Sequence, residues 1–290
     1  MTLSFAAAFV CAIAAGTATA AEDPSAPLRA EYEALKQRLE QSPFQQRLLL
    51  ESVEGQHDSQ ADVYAVVDHP IATVSAALTS AANWCDVLIL HPNVKYCRAM
   101  PRGQGTALSV AIGKKTEQPL TQVHRLEFVF NVAASLPDYM QVGLDARKGP
   151  LGTGNYRIAL EAVRIDEDRA FLHLRYSYTF GFWARVAMRM YLQGAARDKV
   201  GFTAVDVPGN PQAAYIGGFR GVTERNSMRY YLAIDAYLGT LAAPAPERVD
   251  RSLERWFDDS ERYARQLHEM DRDTYLAMKR REYLRQQTER

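Results

Sequence analysis

Between residues 93 and 179 the chain alternates apolar and polar positions with a period of two, the signature of strands with two differently solvated faces. In the segment 122–132, Leu126, Phe128, Phe130 and Val132 fall on one side, with Arg125, Glu127 and Asn131 on the other. Segments 93–99, 106–112, 139–146, 156–163 and 171–179 repeat the pattern, and turn residues separate them at 101–105 and 149–154. Together they predict an antiparallel meander. Upstream, RLLLESVEGQHDSQADVYAVVDHP predicts a hairpin around the polar turn 54–59.

Elsewhere the period becomes helical. Val74, Ala77, Leu78 and Ala81 form one stripe that ends at Asn83-Trp84-Cys85, with Asp68 placed to cap the helix and Pro70 in its first turn. Leu28, Tyr32, Leu35 and Leu39 predict a helix that ends near Ser42-Pro43. After Gly217-Gly218, the run FRGVTERNSMRYYLAIDAYLGTL predicts a long helix. Beyond the hinge at 242–246, Val249, Leu253, Trp256, Tyr263, Leu267 and Met270 predict an amphipathic helix with a charged, solvated face. The aromatic stretch FGFWARVAMRMYLQG at 180–194 reads as a helix or a lid-like connection, and 200–205 with 213–216 as a further strand or ragged pair.

Composition narrows the class. The chain has 290 residues, 47% of them hydrophobic, and no net charge, so it can build a sizeable core and lacks the basic excess of a nucleic-acid binder. Its first twenty residues, MTLSFAAAFVCAIAAGTATA, are uncharged and apolar and end in small residues. They read as a signal peptide cut after Ala20 or Ala21, although no Lys or Arg precedes the apolar run. The alternative, a membrane anchor, is opposed by the run's short length and the lack of a basic flank. Export to an oxidising compartment, the periplasm, is the expectation. Cys85 and Cys97 then remain, either as a disulfide or as two buried thiols.

Catalytic signatures are missing. The glycines at 149–154 lack the order and context of a phosphate loop, no HExxH or paired Cys-x-x-Cys supports a metal, and no Gly-x-Ser-x-Gly supplies a nucleophile. No cofactor is expected. Three polar groups sit in apolar company: His91, the pair His173 and Arg175, and Asp235. In FLHLRYSY, His173 and Arg175 share a strand face opposite Leu172, Leu174, Tyr176 and Tyr178. Either they orient a ligand inside a cavity or they lie on the wet outer face. His91, before Pro92, reads as a satisfied loop residue.

The order of hairpin, helix, meander and long helix resembles the START-like (SRPBCC, helix-grip) superfamily. VYAVVDHPIATVSAALTSAANWCDVL and GVTERNSMRYYLAIDAYL carry the resemblance. It implies an α+β fold in which a curved antiparallel sheet wraps a long helix around a central apolar cavity, flanked here by N- and C-terminal helices. The expected organisation is a signal peptide at 1–20, a helical extension at 21–44, the START-like domain at 45–241 and a charged helix at 247–290. Cavity candidates are Trp84, Phe128, Phe130, Tyr156, His173, Arg175, Met228, Tyr231 and Asp235. The implied function is binding or transfer of a lipid or other apolar molecule, with transient membrane contact. An aromatase/cyclase-like enzyme is the alternative, as is an envelope scaffold that docks a protein partner through the C-terminal helix.

Overall fold

The computed structural model describes residues 23–182, 184–186, 190, 199–205 and 214–288. The expected signal peptide and most of the 180–194 connection lie outside them. The alternating segments form one eight-stranded antiparallel sheet in the order β1-β2-β8-β7-β6-β5-β4-β3. These strands are β1 (Leu48–Glu54), β2 (Asp58–Val67), β3 (Val94–Arg102), β4 (Gly105–Ile112), β5 (His124–Leu136), β6 (Tyr139–Lys148), β7 (Thr153–Arg164) and β8 (Ala170–Phe180). The meander therefore runs from β3 to β8 and closes onto the first hairpin by pairing β8 with β2. Register aligns Leu50, Val63, Leu174, Leu160 and Val142 in one apolar row across five strands. A slip of one residue would turn every one of these side chains to the opposite face, so burial of this inner face fixes the pairing.

Helix α1 (Ala26–Glu40) precedes the sheet, α2 (Ile71–Leu78) and α3 (Ala81–Leu88) follow the hairpin, and a two-stranded ribbon pairs β9 (Ala204–Val205) with β10 (Ala214–Tyr215). The long helix α4 (Gly218–Leu238) lies on the inner face against β1, β2 and β8. Beside it, α2 and α3 cover the inner face over β3, β4, β6 and β7. This is a helix-grip fold. The outer face is partly covered by α1, whose Leu28 and Leu39 join Leu49, Tyr64, Tyr139, Val163 and Phe171 in a second, smaller core.

Three expectations are corrected. The helix expected to run from 68 to 85 is two helices, broken where Thr79 turns its hydroxyl back to the Ser75 carbonyl at 2.7 Å and Ser80 is extended. Short hydroxyl side chains compete with the helix for backbone groups, and here they end it. Asp68 does not cap; its carboxylate takes the Arg47 guanidinium at 2.5 Å, and Pro70 occupies the N-cap position. The charged tail is not one helix but three, α5 (Ala245–Glu261), α6 (Ala264–Leu267) and α7 (Arg272–Thr288). Asp271 restarts the chain as α7 by accepting the Thr274 N–H at 2.9 Å and its hydroxyl at 2.7 Å.

These tail helices belong to the main core. Leu253, Trp256, Phe257, Leu267, Tyr275 and Leu276 are buried in the same cluster as α4. Trp256 stacks on Tyr275 with ring centres 5.0 Å apart and donates to the Arg229 carbonyl at 3.1 Å. With the sheet on one side and α5 on the other, α4 is buried almost all round, which explains why its sequence shows little amphipathic contrast. Cys85 and Cys97 form a disulfide between α3 and β3, with Cα atoms 5.2 Å apart. By the chain-entropy model a loop of this size contributes about 3 kcal/mol. Among the described residues no helix is long and apolar enough to cross a membrane.

Candidate functional site

Strand alternation decides which residues of β8 face inward. Leu172, Leu174, Tyr176, Tyr178 and Phe180 point to α4, and the helix answers with Phe219, Thr223, Asn226, Tyr230 and Ala233 at three- and four-residue spacing. Phe180 stacks on Phe219 at 4.0 Å, and Tyr176 packs against Tyr230 at 5.3 Å. Tyr156 on β7 stacks on Tyr178 at 5.3 Å, and its hydroxyl meets the Thr153 hydroxyl at 2.8 Å. Phe128 and Phe130 come from the same face of β5 and are buried. The interior is thus tyrosine-rich as well as aliphatic, and burial raises the pKa of Tyr156, Tyr176, Tyr178 and Tyr230. All four remain neutral phenols.

Two further polar groups meet them. Asn226, half-buried on α4, interacts with the Tyr176 hydroxyl. His91, in the loop between α3 and β3, is 3% exposed and stacks on Tyr230 at 5.1 Å. Its Nδ1 accepts the Asn93 N–H at 3.1 Å. Burial, followed by the charges of Arg229, Lys115 and Lys279, holds its pKa well below 6.5. The ring is therefore neutral, and with Nδ1 accepting, the proton sits on Nε2. That Nε2–H is buried and has no hydrogen-bond partner among the described residues. The Asn226 side chain acts on the ring as a weak hydrogen-bond partner, the smallest of the influences on its pKa, without reaching normal hydrogen-bond geometry at Nε2. A buried donor without an acceptor costs about 1–3 kcal/mol, so an oxygen brought to Nε2 gains that much.

The loop that holds His91 is fixed from three directions. The disulfide brackets it. Tyr275 donates to the Leu90 carbonyl at 2.7 Å, and Lys279 donates to the carbonyls of His91 at 3.2 Å and Val94 at 2.6 Å. Lys95 reaches the Pro92 carbonyl at 2.9 Å, and Glu282 bridges the two ammonium groups at 2.9 and 2.5 Å. Burial lowers the Lys279 pKa to about 8. Nearer the N-terminal end of α4, Glu224 accepts the backbone N–H groups of Phe202 at 2.5 Å and Thr203 at 2.9 Å. This ties the chain that returns from the 180–194 connection to α4.

Of the sequence candidates, Phe128 and Phe130 are part of the main core and Tyr156 packs against it. Trp84 is fully buried in α3 and donates to the Leu78 carbonyl at 2.7 Å, a structural role. Met228, two residues from Asn226, lies on the opposite side of α4 by helical spacing. Asp235 faces α5 and pairs with Arg255 at 3.0 Å, and Tyr231 lies beside it. His173 and Arg175 are on the outer face. There Asp62 accepts His173 Nε2 and Arg175 Nε, each at 2.7 Å, and Gln60 at 2.8 Å. Tyr64 stacks on the His173 ring at 4.5 Å. The placement of these two as cavity residues is therefore corrected: strand parity sends them away from α4, and an acid on β2 satisfies them.

The residues that sequence reasoning passed over are His91, Tyr176, Asn226 and Tyr230. Parity already put Tyr176 and Tyr178 on the face opposite His173. Clefts on the outer surface lie along α1 and beside Phe44, Phe202 and Tyr263, and none of those described is lined by His91, Tyr176 or Asn226. Among the described residues no group of three or more His, Cys, Asp or Glu side chains is placed to hold a metal.

No known family profile and no curated protein matches the chain. Solved structures with a similar course include Zhui aromatase/cyclase from Streptomyces sp. R1128, with 13% identity and a TM-score of 0.36 over 49% of this chain and 88% of that one. A norcoclaurine synthase variant from Thalictrum flavum gives 14% identity and a TM-score of 0.35, over 50% of this chain and 89% of its own. Human StAR-related lipid transfer protein 5 gives 8% identity and a TM-score of 0.32, over 58% and 90%. The chain has a START-like, SRPBCC-type fold; the assignment rests on its own strand order, register and gripped helix.

Proposed function

We propose that this is an exported protein that binds a hydrophobic molecule, a lipid or a ring compound, between the inner face of the sheet and α4. The observation that carries the reading is the buried Nε2–H of His91, which lacks an acceptor beside Asn226 and the Tyr176 hydroxyl. Such a donor recognises a hydroxyl or carbonyl oxygen on an otherwise apolar ligand. Burying the ligand's body contributes about 25 cal/mol per Å² of apolar area. Exposed Leu151 and Phe182, brought close by the Gly181 N–H to Gly152 carbonyl bond at 3.4 Å, give a contact for a membrane during loading.

Organic extraction of the purified mature chain, followed by mass spectrometry, should recover a hydrophobic molecule. His91→Leu should weaken uptake of an oxygen-bearing fluorescent lipid about tenfold. A chain with no extractable molecule that takes up no fluorescent lipid would refute the reading. Export predicts a mature N-terminus at residue 21 or 22, and the disulfide supports it.

A second reading, a cyclase-like enzyme, draws on the same histidine. With Nδ1 occupied by the Asn93 N–H and the proton on Nε2, His91 is set to donate a hydrogen bond rather than to remove a proton, which favours binding. The scaffold reading needs a free apolar face on the tail helices, and the core of α5 and α7 is packed within the main cluster.

A further inference from the structure

The two edges of the large sheet are finished differently. At one end of the strand order, β3 is capped by the tail helix α7. Gln286 accepts the Cys97 N–H at 3.0 Å, Arg285 donates to the Lys95 carbonyl at 3.0 Å, and Lys279 donates to the Val94 carbonyl at 2.6 Å. At the other end lies β1. Its pairing with β2 is framed by the Val66 N–H to Arg47 carbonyl bond at 2.9 Å and the Gly55 N–H to Asp58 carbonyl bond at 3.0 Å. The ladder therefore uses the odd-numbered residues, and the even-numbered ones turn their N–H and C=O groups out of the sheet. Leu48 is satisfied within the chain: its N–H donates to the Gln46 carbonyl at 2.8 Å, and its carbonyl accepts the Ser42 hydroxyl at 2.5 Å. Among the described residues nothing hydrogen-bonds the backbone groups of Leu50 and Ser52. An open strand edge of this kind is a template for another extended chain.

This edge borders a cleft of about 630 Å³. Leu50 lies in its lining with Phe44, Phe202 and Tyr263, half-buried rings whose centres are 5.7, 6.0 and 5.7 Å apart. Glu224 accepts the Ser52 hydroxyl and the N–H groups of Phe202 and Thr203, which fixes that segment relative to β1. Arg38 and Arg262 also line the cleft, and no described Asp or Glu does. Both arginines are anchored from outside the lining, by Glu51 at 2.8 Å and Asp259 at 2.9 Å, and over half of each side chain stays exposed.

We infer that this cleft takes an extended acidic peptide segment of another protein, added as a further strand along β1 with an apolar or aromatic side chain against Phe44, Phe202 and Tyr263. Such a segment supplies the alternating donors and acceptors that Leu50 and Ser52 lack, and it aims every second side chain at the rings. Its carboxylate meets arginine surface and no acid. A second copy of this chain fits worse. Pairing Leu50 of each β1 with Ser52 of the other sets Glu51 against Glu51, and like charges directly opposite destabilise a strand pair. Centring the pair on Ser52 instead sets Leu50 against Glu54. The surface is separate from the interior, so the inference does not rest on the binding reading above.

The test uses the mature full-length chain and a displayed library of random short peptides. Panning should enrich sequences that alternate apolar or aromatic residues with others and that carry Asp or Glu. In the strongest of them, made synthetically, N-methylation of one alternate set of amides should weaken binding at least about tenfold, and methylation of the other set less than about twofold. Binding should slow amide hydrogen exchange at Leu50 and Ser52. Arg38→Gln and Arg262→Gln, at exposed positions, should each weaken the acidic peptide about threefold and leave its amide analogue unchanged. No enriched sequence, or equal sensitivity to methylation of either set, overturns the added strand. Protection of Leu50 and Ser52 by rising protein concentration alone replaces the foreign segment with a second copy and overturns the inference. Unchanged affinity in both glutamine variants overturns the acidic preference.

Discussion

Two histidines on opposite faces of one sheet show how differently this fold treats the same side chain. His173, on the outer face, has a carboxylate from β2 at 2.7 Å, an aromatic ring stacked on it and a second acid, Glu31, 3.8 Å from its Nδ1. Its Nε2 bond to Asp62 joins β8 to β2. His91, under the inner face, is also stacked on a tyrosine, at 5.1 Å, but left with one donor unmet and three cations acting on it. Residue type and apolar company are alike for the two. What separates the two here is whether a neighbouring strand delivers an acceptor.

The helices that cover the two faces make the same contrast testable on a larger scale. Ending the chain after Leu241 removes Trp256, Phe257 and Tyr275 from the main core and exposes the back of α4. Each large aromatic lost from a core costs about 3–5 kcal/mol, so losing three removes an amount comparable with the whole stability of an ordinary domain, and the shortened chain should lack a cooperative thermal transition. Removing residues 23–41 instead uncovers the smaller outer core around Tyr64 and Phe171. That chain should still melt cooperatively, at a lower temperature. Calorimetric scans of both truncations decide it, and a cooperative transition for the first would show that 247–290 is a separable arm.

Next in size is the trio that clamps the His91 loop. Glu282→Ala leaves Lys95 and Lys279 buried without a carboxylate, and breaking a buried pair in this way costs about 3–5 kcal/mol. Asp62→Asn on the outer face keeps hydrogen-bond acceptors for a half-exposed Arg175 and should cost about 1 kcal/mol. Urea titrations of the two variants should differ by at least about 2 kcal/mol; equal losses would mean that the two faces tolerate charge alike.

Much of the architecture was legible because strand parity is local. Once residues 122–132 alternate, Leu126, Phe128 and Phe130 are given as inner residues, with Val132 exposed next to the irregularity that follows it, and a row such as Leu50, Val63, Leu174 and Leu160 follows from pairing. Parity also separated Tyr176 from His173. The site was less legible because it depends on what lies across the gap. Asn226 reads as one polar residue in a mixed helix until β8 places Tyr176 opposite it, and His91 before Pro92 reads as loop until α4 buries it. The tail was misjudged for the same reason: its charged outer face is visible in sequence, but the burial of Tyr275 against Trp256 depends on a fold-back at Asp271.

The smallest effect separates the two faces by pH. Burial lowers the His91 pKa, so the unfolded chain takes up a proton near pH 6.5 that the folded chain refuses. Stability is therefore full above that pH and declines as pH falls below it, by up to about 1.4 kcal/mol per unit for one proton. Asp62 behaves differently. Burial would raise its pKa, but the bonds from His173, Arg175 and Gln60 outweigh it and lower the value below 3.8. Its contribution is present above the unfolded carboxylate value and is lost only as pH falls through the lower folded one. Between pH 6.5 and 5, then, His91→Gln should flatten the fall in stability while Asp62→Asn leaves it unchanged. Below pH 4, where Glu269 and other stabilised carboxylates also titrate, the order reverses and Asp62→Asn becomes the variant with the shallower curve. Chemical denaturation at half-unit pH steps reads both slopes, and identical curves for the two variants would erase the distinction between the faces.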